Sequence, residues 1–206
     1  MKILIAVPTY ETIYPDTYQS IWDMDKCGHE CIFEYVRGYD VASARSMICA
    51  RALELECDYV FMVDNDVILP KETLQYLTED IKPVQLGIYA HREKTGKPFD
   101  GRSIVFKADE ESWKHNYSIE ELDELREQGK YKVVIHGGGM GCALISTEVL
   151  KQMRFPYFYW VHFDNNTKKQ LSEDLYFCDQ CKSRDIPIYT DTRVRCGHIF
   201  RYIQNC

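Results

Sequence analysis

Short apolar runs alternate with stretches of helical periodicity through the first half of the chain. The apolar runs predict strands at residues 2–7, 31–36, 59–63 and 84–90. Between them, small and apolar residues at helical spacing predict a helix over 41–55, and Pro70 begins a second helix over 71–77. Strands that alternate with helices in this way are typical of a parallel α/β sheet.

Strands become denser in the second half. A polar connection over 91–116 is predicted to hold one strand at 103–106, and Ser118 opens a capping box ahead of a helix that ends near Gly129. Further strands are predicted at 131–135, 142–145, 186–189 and 193–199. Helices are predicted at 146–153 and from Ser172 to about Ser183, and residues 157–163 form an aromatic-rich strand or loop. The pattern indicates one α/β domain over residues 1–206, with a mainly parallel central sheet and a mixed C-terminal half.

The composition fits a globular protein and limits its partners. Apolar residues make up 45% of the 206 residues, and the formal net charge is −7. Non-specific binding to nucleic acid or anionic membrane needs clustered Lys and Arg, so both classes of partner are disfavoured. A nucleotide, or a modified-base acceptor held by a local patch, is left open. The N-terminal apolar run is too short for a signal peptide and no segment could span a membrane. A cytoplasmic protein is expected.

Nine cysteines are scattered through the predicted strands and helices. Two close pairs, Cys27 with Cys31 and Cys178 with Cys181, have a spacing that a four-thiolate zinc site could use. The second pair falls within a predicted helix that has no turn glycine between the two residues. Free, reduced thiols are therefore the preferred interpretation, with structural zinc as the alternative.

An acidic turn, Asp64-Asn65-Asp66, follows the apolar strand at 59–63. Open α/β sheets bind ligands at the carboxyl ends of their strands, and alternate residues there can direct two carboxylates toward one site. Neighbouring carboxylates repel each other unless a cation lies between them, so the turn is a candidate for binding a divalent ion. A polar turn in which Asp64 and Asn65 bond to their own backbone explains the tripeptide equally well.

Three other positions carry side chains suited to chemistry. His198 follows a strand-like segment and Gly197, and an imidazole beside carboxylates favours Mn²⁺ over Mg²⁺. Glu173 and Asp174 occupy the first turn of a predicted helix, where they suit the helix dipole or provide a general base. Arg45 could reach a phosphate or a base edge, or lie solvated on its helix.

The glycine run over 137–141 excludes two common nucleotide motifs. It lacks the spacing of a dinucleotide fingerprint and a strand follows it where that motif needs a helix, while no Gly-Lys-Ser/Thr of a P-loop is present. Missing side chains are expected either to let the backbone approach a ligand closely or to form a tight bend.

Taken in order, these segments resemble the GT-A glycosyltransferases, in particular the small inverting type of bacteria and large viruses. Val7-Pro8-Thr9-Tyr10 resembles the nucleotide-contacting loop of that family, and Val63-Asp64-Asn65-Asp66 its D-x-D motif. The stretch 42–46 is similar to the A-R-N helix start, although Ser46 replaces the usual Asn. Residues 139–145 resemble the strand before the acceptor region, 172–178 the E-D helix, and 191–198 the strand that delivers a histidine to the metal.

The resemblance implies a GT-A, Rossmann-like fold with a nucleotide-binding half at about 1–90 and an acceptor and metal half at about 91–206. It implies Mn²⁺ or Mg²⁺ as the metal, with Asp66 as a direct ligand, Asp64 on the ribose or on the metal through water, and His198 as a further ligand. Asp174 would be the base, and Glu173 the second choice for that role. The nucleotide would be held by Pro8, Thr9, Tyr10, Arg45 and the Asp64-Asn65 turn.

The implied reaction moves a sugar from a UDP- or GDP-sugar donor to a hydroxyl of a glycan or other acceptor, with inversion and with retention as a variant. Acceptor contacts are expected from residues 91–117 and 155–167, where Tyr157, Tyr159 and Trp160 either stack on sugars or pack in the core. A nucleotidyltransferase is the first alternative, although no Gly-rich loop follows the first strand. A non-catalytic sugar- or zinc-binding module is the second alternative.

Overall fold

The fold was analysed on a computed structural model that describes residues 1–91, 101–108, 113–162 and 170–200. Twelve strands and six helices lie in these ranges. The strands are β1 (Lys2–Thr9), β2 (Glu30–Arg37), β3 (Tyr59–Val63), β4 (Val67–Ile68), β5 (Val84–Ile88), β6 (Arg102–Phe106), β7 (Asn116–Ser118), β8 (Lys132–Ile135), β9 (Gly137–Gly138), β10 (Cys142–Ser146), β11 (Ile188–Arg195) and β12 (Gly197–His198). The helices are α1 (Pro15–Asp23), α2 (Val41–Glu54), α3 (Thr73–Glu79), α4 (Ile119–Glu127), α5 (Thr147–Lys151) and α6 (Glu173–Lys182).

Seven strands form the central sheet in the order β2-β1-β3-β10-β5-β11-β8. β1 pairs in parallel with β2 and β3, and β5 pairs in parallel with β11, whereas β10 and β8 run antiparallel to their neighbours. Five of the seven strands therefore point the same way. The predicted architecture, a mainly parallel sheet with a mixed C-terminal half, is confirmed.

Helices cover both faces of the sheet, because alternate residues of its strands point to opposite sides. Leu4 and Ala6 of β1 pack into one apolar cluster with α2 and α6, while Ile3 and Ile5 pack into another with α1 and α3. Burial on both faces explains why the inner strands are continuous apolar runs in the sequence. Within the described residues, no helix has the length and apolar character needed to cross a bilayer.

Helix starts follow local chemistry. The Asp40 side chain accepts a hydrogen bond from the Ser43 N–H at 3.1 Å and caps α2. Ser118 and Glu121 form the predicted capping box of α4, with bonds of 3.1 Å and 2.8 Å. Ser172 caps α6 as expected. Because α2 and α6 begin at the same edge of the sheet, their first turns can share one site.

The sequence prediction missed one helix and divided one strand. Helix α1 was not predicted, because only Thr17 and Ile21 of its nine residues are buried. The two final strand segments, predicted at 186–189 and 193–199, are instead β11 followed by the short β12. Polar residues in the middle of β11 hid its continuity: Thr190 donates to the Leu86 carbonyl at 3.0 Å, and buried Asp191 pairs with Lys132 at 2.9 Å.

Candidate functional site

A cleft of about 520 Å³ opens at the carboxyl edge of the sheet, where β1, β2 and β3 end. Its volume is within the range of small-molecule and cofactor sites. Seven predicted site residues line it: Pro8, Thr9, Tyr10, Asp64, Asn65, Asp66 and His198. Five lining residues were not predicted as site residues: Tyr39, Asp40, Val41, Ala44 and Tyr89. Arg45, Glu173 and Asp174 are not among the lining residues, and they join the site through Asp64.

The turn after β3 holds two loops together. The Asp64 N–H donates to the Gly141 carbonyl at 2.9 Å, which ties the turn to the strand entering from the other half of the chain. The Asn65 amide donates to the Thr12 carbonyl at 2.8 Å, and the Asn65 carbonyl accepts from the Tyr14 N–H at 3.0 Å. Asn65 thus fixes the loop that carries Thr9 and Tyr10 along the cleft. The Asp64 side chain bonds to Arg45 and the Asn65 side chain to the Thr12 carbonyl, so neither side chain makes the bond to its own backbone that a simple polar turn would use.

Asp66 and His198 come together because β12 pairs with β4 just after the turn. Ile199 N–H donates to the Asp66 carbonyl at 2.9 Å, and His198 is opposite Val67 in the ladder. The His198 Nδ1 lies 2.9 Å from the Ala90 carbonyl and its Nε2 lies 3.6 Å from Asp66 Oδ1. A bond from Nδ1 to a backbone carbonyl orients the ring and leaves Nε2 as the nitrogen available to a metal ion, and a bond of this kind is common in metal-binding histidines.

These two side chains fit the implied divalent ion, because imidazole nitrogen with carboxylate oxygen suits Mn²⁺. The third predicted ligand, Asp64, faces Arg45 instead. Accordingly, no three His, Cys, Asp or Glu side chains of the described residues form a ready metal cluster. Any ion here would take its remaining ligands from water or from a bound substrate.

Arg45 is the centre of a buried ionic cluster. Its side chain is only 2% exposed. Its Nη2 donates to Asp64 Oδ1 at 2.7 Å, and its Nη1 donates to Glu173 Oε1 at 2.7 Å and to Asp174 Oδ1. Burial alone would lower the pKa of this guanidinium, but the three carboxylates raise it well above its usual value. Arg45 therefore joins the acidic turn to the first turn of α6, across a separation of 128 residues in the sequence.

Three carboxylates share this one guanidinium, so the cluster has more acidic groups than its cation can neutralise. Burial raises the pKa of Asp174 to about 7, with Glu173 and Asp64 adding to the rise and Arg45 opposing it. A carboxyl that exchanges its proton near neutral pH is suited to general base catalysis. Glu173 is more deeply buried than Asp174, with side-chain exposures of 7% and 20%, so Asp174 is the more accessible of the two.

The glycine run allows close packing around Tyr89. A Cβ on Gly141 would lie 2.7 Å from both Asp64 Oδ2 and the Tyr89 hydroxyl oxygen, and one on Gly139 would lie 2.5 Å from that same oxygen. The Gly141 N–H donates to the Tyr89 hydroxyl at 2.9 Å. The sequence predicted an approach of this backbone to a ligand or a tight bend, whereas the observed close approach is to the side chains of Asp64 and Tyr89.

Signals for some of the unpredicted lining residues exist in the sequence. Tyr39 and Asp40 come two and three residues after the end of β2 at Arg37, so the expectation that ligands bind at strand ends, which singled out Asp64, applies to them as well. Tyr89 follows β5 in the same way, but it fell inside the predicted strand 84–90. Its ring meets His198 edge to face, with centroids 5.1 Å apart.

The aromatic residues predicted for the acceptor side differ in their burial. Tyr157 belongs to the core, whereas Tyr159 and Trp160 are exposed. Parts of the expected acceptor regions, residues 92–100, 109–112 and 163–169, lie outside the described residues. The eight cysteines of the described ranges are free thiols, and Cys178 and Cys181 are buried in α6.

Comparison with solved structures identifies the fold. A197 from STIV is 19% identical, with a TM-score of 0.62 over 98% of this chain and 87% of that one. Residues 1–349 of S. aureus TarS in complex with UDP-GlcNAc are 15% identical, with a TM-score of 0.55 over 99% of this chain and 60% of that one. GalNAc-T7 with UDP, GalNAc and Mn²⁺ is 11% identical, with a TM-score of 0.59 over 97% of this chain and 44% of that one.

The chain thus spans most of A197 but less than two thirds of the TarS fragment and of GalNAc-T7. No protein-family model matches the sequence, and no curated protein matches it. These likenesses show a GT-A-type α/β fold, as the sequence resemblance implied.

Proposed function

We propose that the protein is a metal-dependent glycosyltransferase that moves a sugar from a UDP- or GDP-sugar to an acceptor hydroxyl, with inversion. The observation that carries this proposal is the Asp66–His198 pair in a cleft of donor size, joined through Asp64 and Arg45 to the buried acid Asp174. Two proteins of similar fold support it, since TarS was solved with UDP-GlcNAc and GalNAc-T7 with UDP, GalNAc and Mn²⁺.

The donor side would be built from residues 1–90 and from His198. Tyr10 and Tyr39 offer half-exposed to exposed rings to a nucleobase, and Thr9, Tyr10 and Asp40 line the same cleft. Asp66 and His198 would hold Mn²⁺, or Mg²⁺ less favourably. Bound there, the ion would neutralise charge on the diphosphate and on the departing nucleotide. Asn65 keeps the loop that carries Thr9 and Tyr10 in place through its bonds to residues 12 and 14.

The acceptor side would depend on Asp174. With its pKa raised toward neutrality, its carboxylate can take the proton of an acceptor hydroxyl as the new glycosidic bond forms. A base on the face opposite the leaving nucleotide makes this a single displacement, which inverts the anomeric carbon. Glu173 is too deeply buried to be an equal candidate for the base, and it serves to hold Arg45.

Arg45 would act differently from the role that the resemblance implies. Its guanidinium binds three carboxylates and is buried, so we assign it to positioning Asp64 and Asp174 rather than to binding the nucleotide. A buried planar guanidinium that donates to three carboxylates fixes their directions better than a flexible ammonium group does. Arg45 would thereby keep the donor-side turn and the base in a fixed relation.

A donor screen tests the proposal. UDP- and GDP-sugars are incubated with the protein and Mn²⁺, and the released nucleoside diphosphate is measured. We expect release from one donor, its loss in EDTA, and its loss in Asp66→Ala, His198→Ala and Asp174→Asn. Asp80→Asn is the control, because Asp80 is an exposed acid paired only with Lys82 among the contacts described. Release that survives EDTA and all three site variants contradicts the proposal, and pyrophosphate released from a nucleoside triphosphate and a sugar phosphate favours a nucleotidyltransferase.

A further inference from the structure

A second cavity, of about 570 Å³, lies beside the donor cleft. We call it the aromatic groove. Its walls are the first turns of α2 and the segment 155–162, and its exposed rings come from Tyr39, Phe155, Tyr159 and Trp160. Tyr39 and Asp40 line both this groove and the donor cleft. A ligand in the groove would therefore lie next to a donor in the cleft.

The groove offers flat rings with polar edges and almost no charge. Phe155, Tyr159 and Trp160 are 65%, 53% and 42% exposed, which leaves their faces open to a ligand. None of the described residues lining it is Lys or Arg, and its one carboxylate, on Asp40, already caps α2. Tyrosine hydroxyls, the indole N–H and His162 supply hydrogen-bonding groups at the rims. This combination disfavours phosphates and other charged ligands, and it fits a neutral ligand with apolar faces and hydroxyl edges.

The groove is also tied to the helix that carries the proposed base. Val161 and Leu171 exchange two backbone hydrogen bonds, of 3.0 Å and 3.1 Å. Leu171 precedes Asp174 by three residues, so the groove wall is bonded directly to the segment that leads into α6. The Tyr159 ring meets Tyr176 of α6 edge to face at 5.9 Å between centroids, and Phe158 stacks on Phe177. On its other side Phe158 accepts and donates backbone bonds with the Ser46 hydroxyl of α2. The wall is thus fixed between the two helices that supply Arg45 and Asp174.

We propose that the aromatic groove binds the acceptor, and that the acceptor is a neutral carbohydrate stacked on Tyr159 and Trp160. The role of this ligand as acceptor rests on the proposed function, whereas the binding of a carbohydrate in the groove does not depend on it. A pyranose ring has an apolar C–H face and a rim of hydroxyls, which matches open aromatic rings edged by hydroxyl, indole and imidazole groups. The groove volume is within the range of small-ligand sites and leaves room for more than one sugar ring.

A glycan array with the labelled protein of residues 1–206 identifies the ligand, followed by titration of each bound glycan into the unlabelled protein. The variants are Trp160→Ala and Tyr159→Ala. Trp22→Ala is the matched control, because Trp22 is even more exposed but lies on α1, away from the groove. UDP with Mn²⁺ is titrated into every variant as a separate measure of the donor cleft, and circular dichroism with a thermal melt checks folding.

We expect neutral glycans to be retained, and the dissociation constant to rise by about five- to tenfold in each groove variant, as loss of one stacked ring implies. UDP affinity should stay within twofold of the parent. The inference is overturned if no neutral glycan binds, if glycans bind equally well to Trp160→Ala and Tyr159→Ala, or if only acidic glycans are retained. Glycan binding without any binding of UDP, or of GDP titrated in the same way, in the presence of Mn²⁺ refutes the proposed function and leaves the groove as a carbohydrate site. UDP binding without glycan binding refutes the groove alone.

Discussion

Replacing Arg45 with Gln tests the buried ionic cluster. The change removes the cation that faces Asp64, Glu173 and Asp174 and leaves three carboxylates close together. Asp64 and Asp174 keep partial access to water, with side-chain exposures of 26% and 20%, while Glu173 at 7% has little. Removing one partner of a buried ion pair costs about 3–5 kcal/mol. In a chain of this size that lowers the melting temperature by roughly 6–20 °C.

Thermal unfolding followed by circular dichroism at pH 8 is the assay. Arg51→Gln is the control, because Arg51 is on the same helix and pairs with Glu34 and Glu54 at the surface. Surface pairs contribute little, so this variant should melt with the parent. If Arg45→Gln also melts with the parent, the cluster does not stabilise the fold and the positioning role assigned to Arg45 is wrong.

The pH dependence of the stability lost in Arg45→Gln shows whether the loss comes from removing the charge or from removing packing contacts. The pKa of Asp174 is already raised to about 7 against the lowering effect of Arg45, so without the guanidinium this carboxyl binds its proton at still higher pH in the folded state. A carboxyl whose folded pKa is raised binds more protons when folded, so stability increases as pH falls through the window between the two pKa values. The deficit of Arg45→Gln should therefore shrink between pH 8 and pH 5. A deficit that is constant over this range indicates lost packing instead.

Two further outcomes follow from the site. Because the pKa of Asp174 is raised to about 7, kcat/KM should increase as pH rises toward 7 and then become constant. Asp174→Asn should remove this pH-dependent increase and reduce kcat by about 10²–10⁴-fold. A pH profile that is unchanged in the variant would assign the base to another residue. Gly141→Ala should reduce the free energy of unfolding by about 1–3 kcal/mol, since its Cβ would overlap Asp64 and Tyr89. Urea denaturation checks this against Gly197→Ala, whose Cβ would lie 3.2 Å from its nearest neighbour, Ile68 Cβ, and equal losses would contradict it.

The buried strands could be predicted from the sequence because burial on both faces makes a strand a continuous apolar run. Strand β3 was predicted with its observed bounds. The rule failed where polar groups are buried with partners: Thr190 and Asp191 interrupt the apolar pattern of β11, yet both are fully buried and bonded. It also failed for α1, whose place depends on tertiary packing more than on periodicity.

The part of the candidate site that lies at strand ends could be predicted from the sequence. Asp64 and Asp66 were predicted as site residues because they follow a buried strand, and His198 because a metal near carboxylates commonly takes an imidazole; all three line the cleft. The side-chain partners of Arg45 could not be found in this way. Its bond to Glu173 spans 128 residues and depends on two helices that begin at the same sheet edge. The aromatic groove likewise needs the wall at 155–162 to be brought against α2, which no local pattern reveals.

The most direct test of the central claim is calorimetric titration of UDP into the protein with Mn²⁺ and with EDTA. The Asp66–His198 pair predicts binding that requires Mn²⁺ and that is lost in Asp66→Ala and in His198→Ala, while Asp80→Asn binds like the parent. UDP that binds equally well in EDTA, or that binds both site variants as it binds the parent, would contradict a metal-dependent nucleotide-sugar site in this cleft.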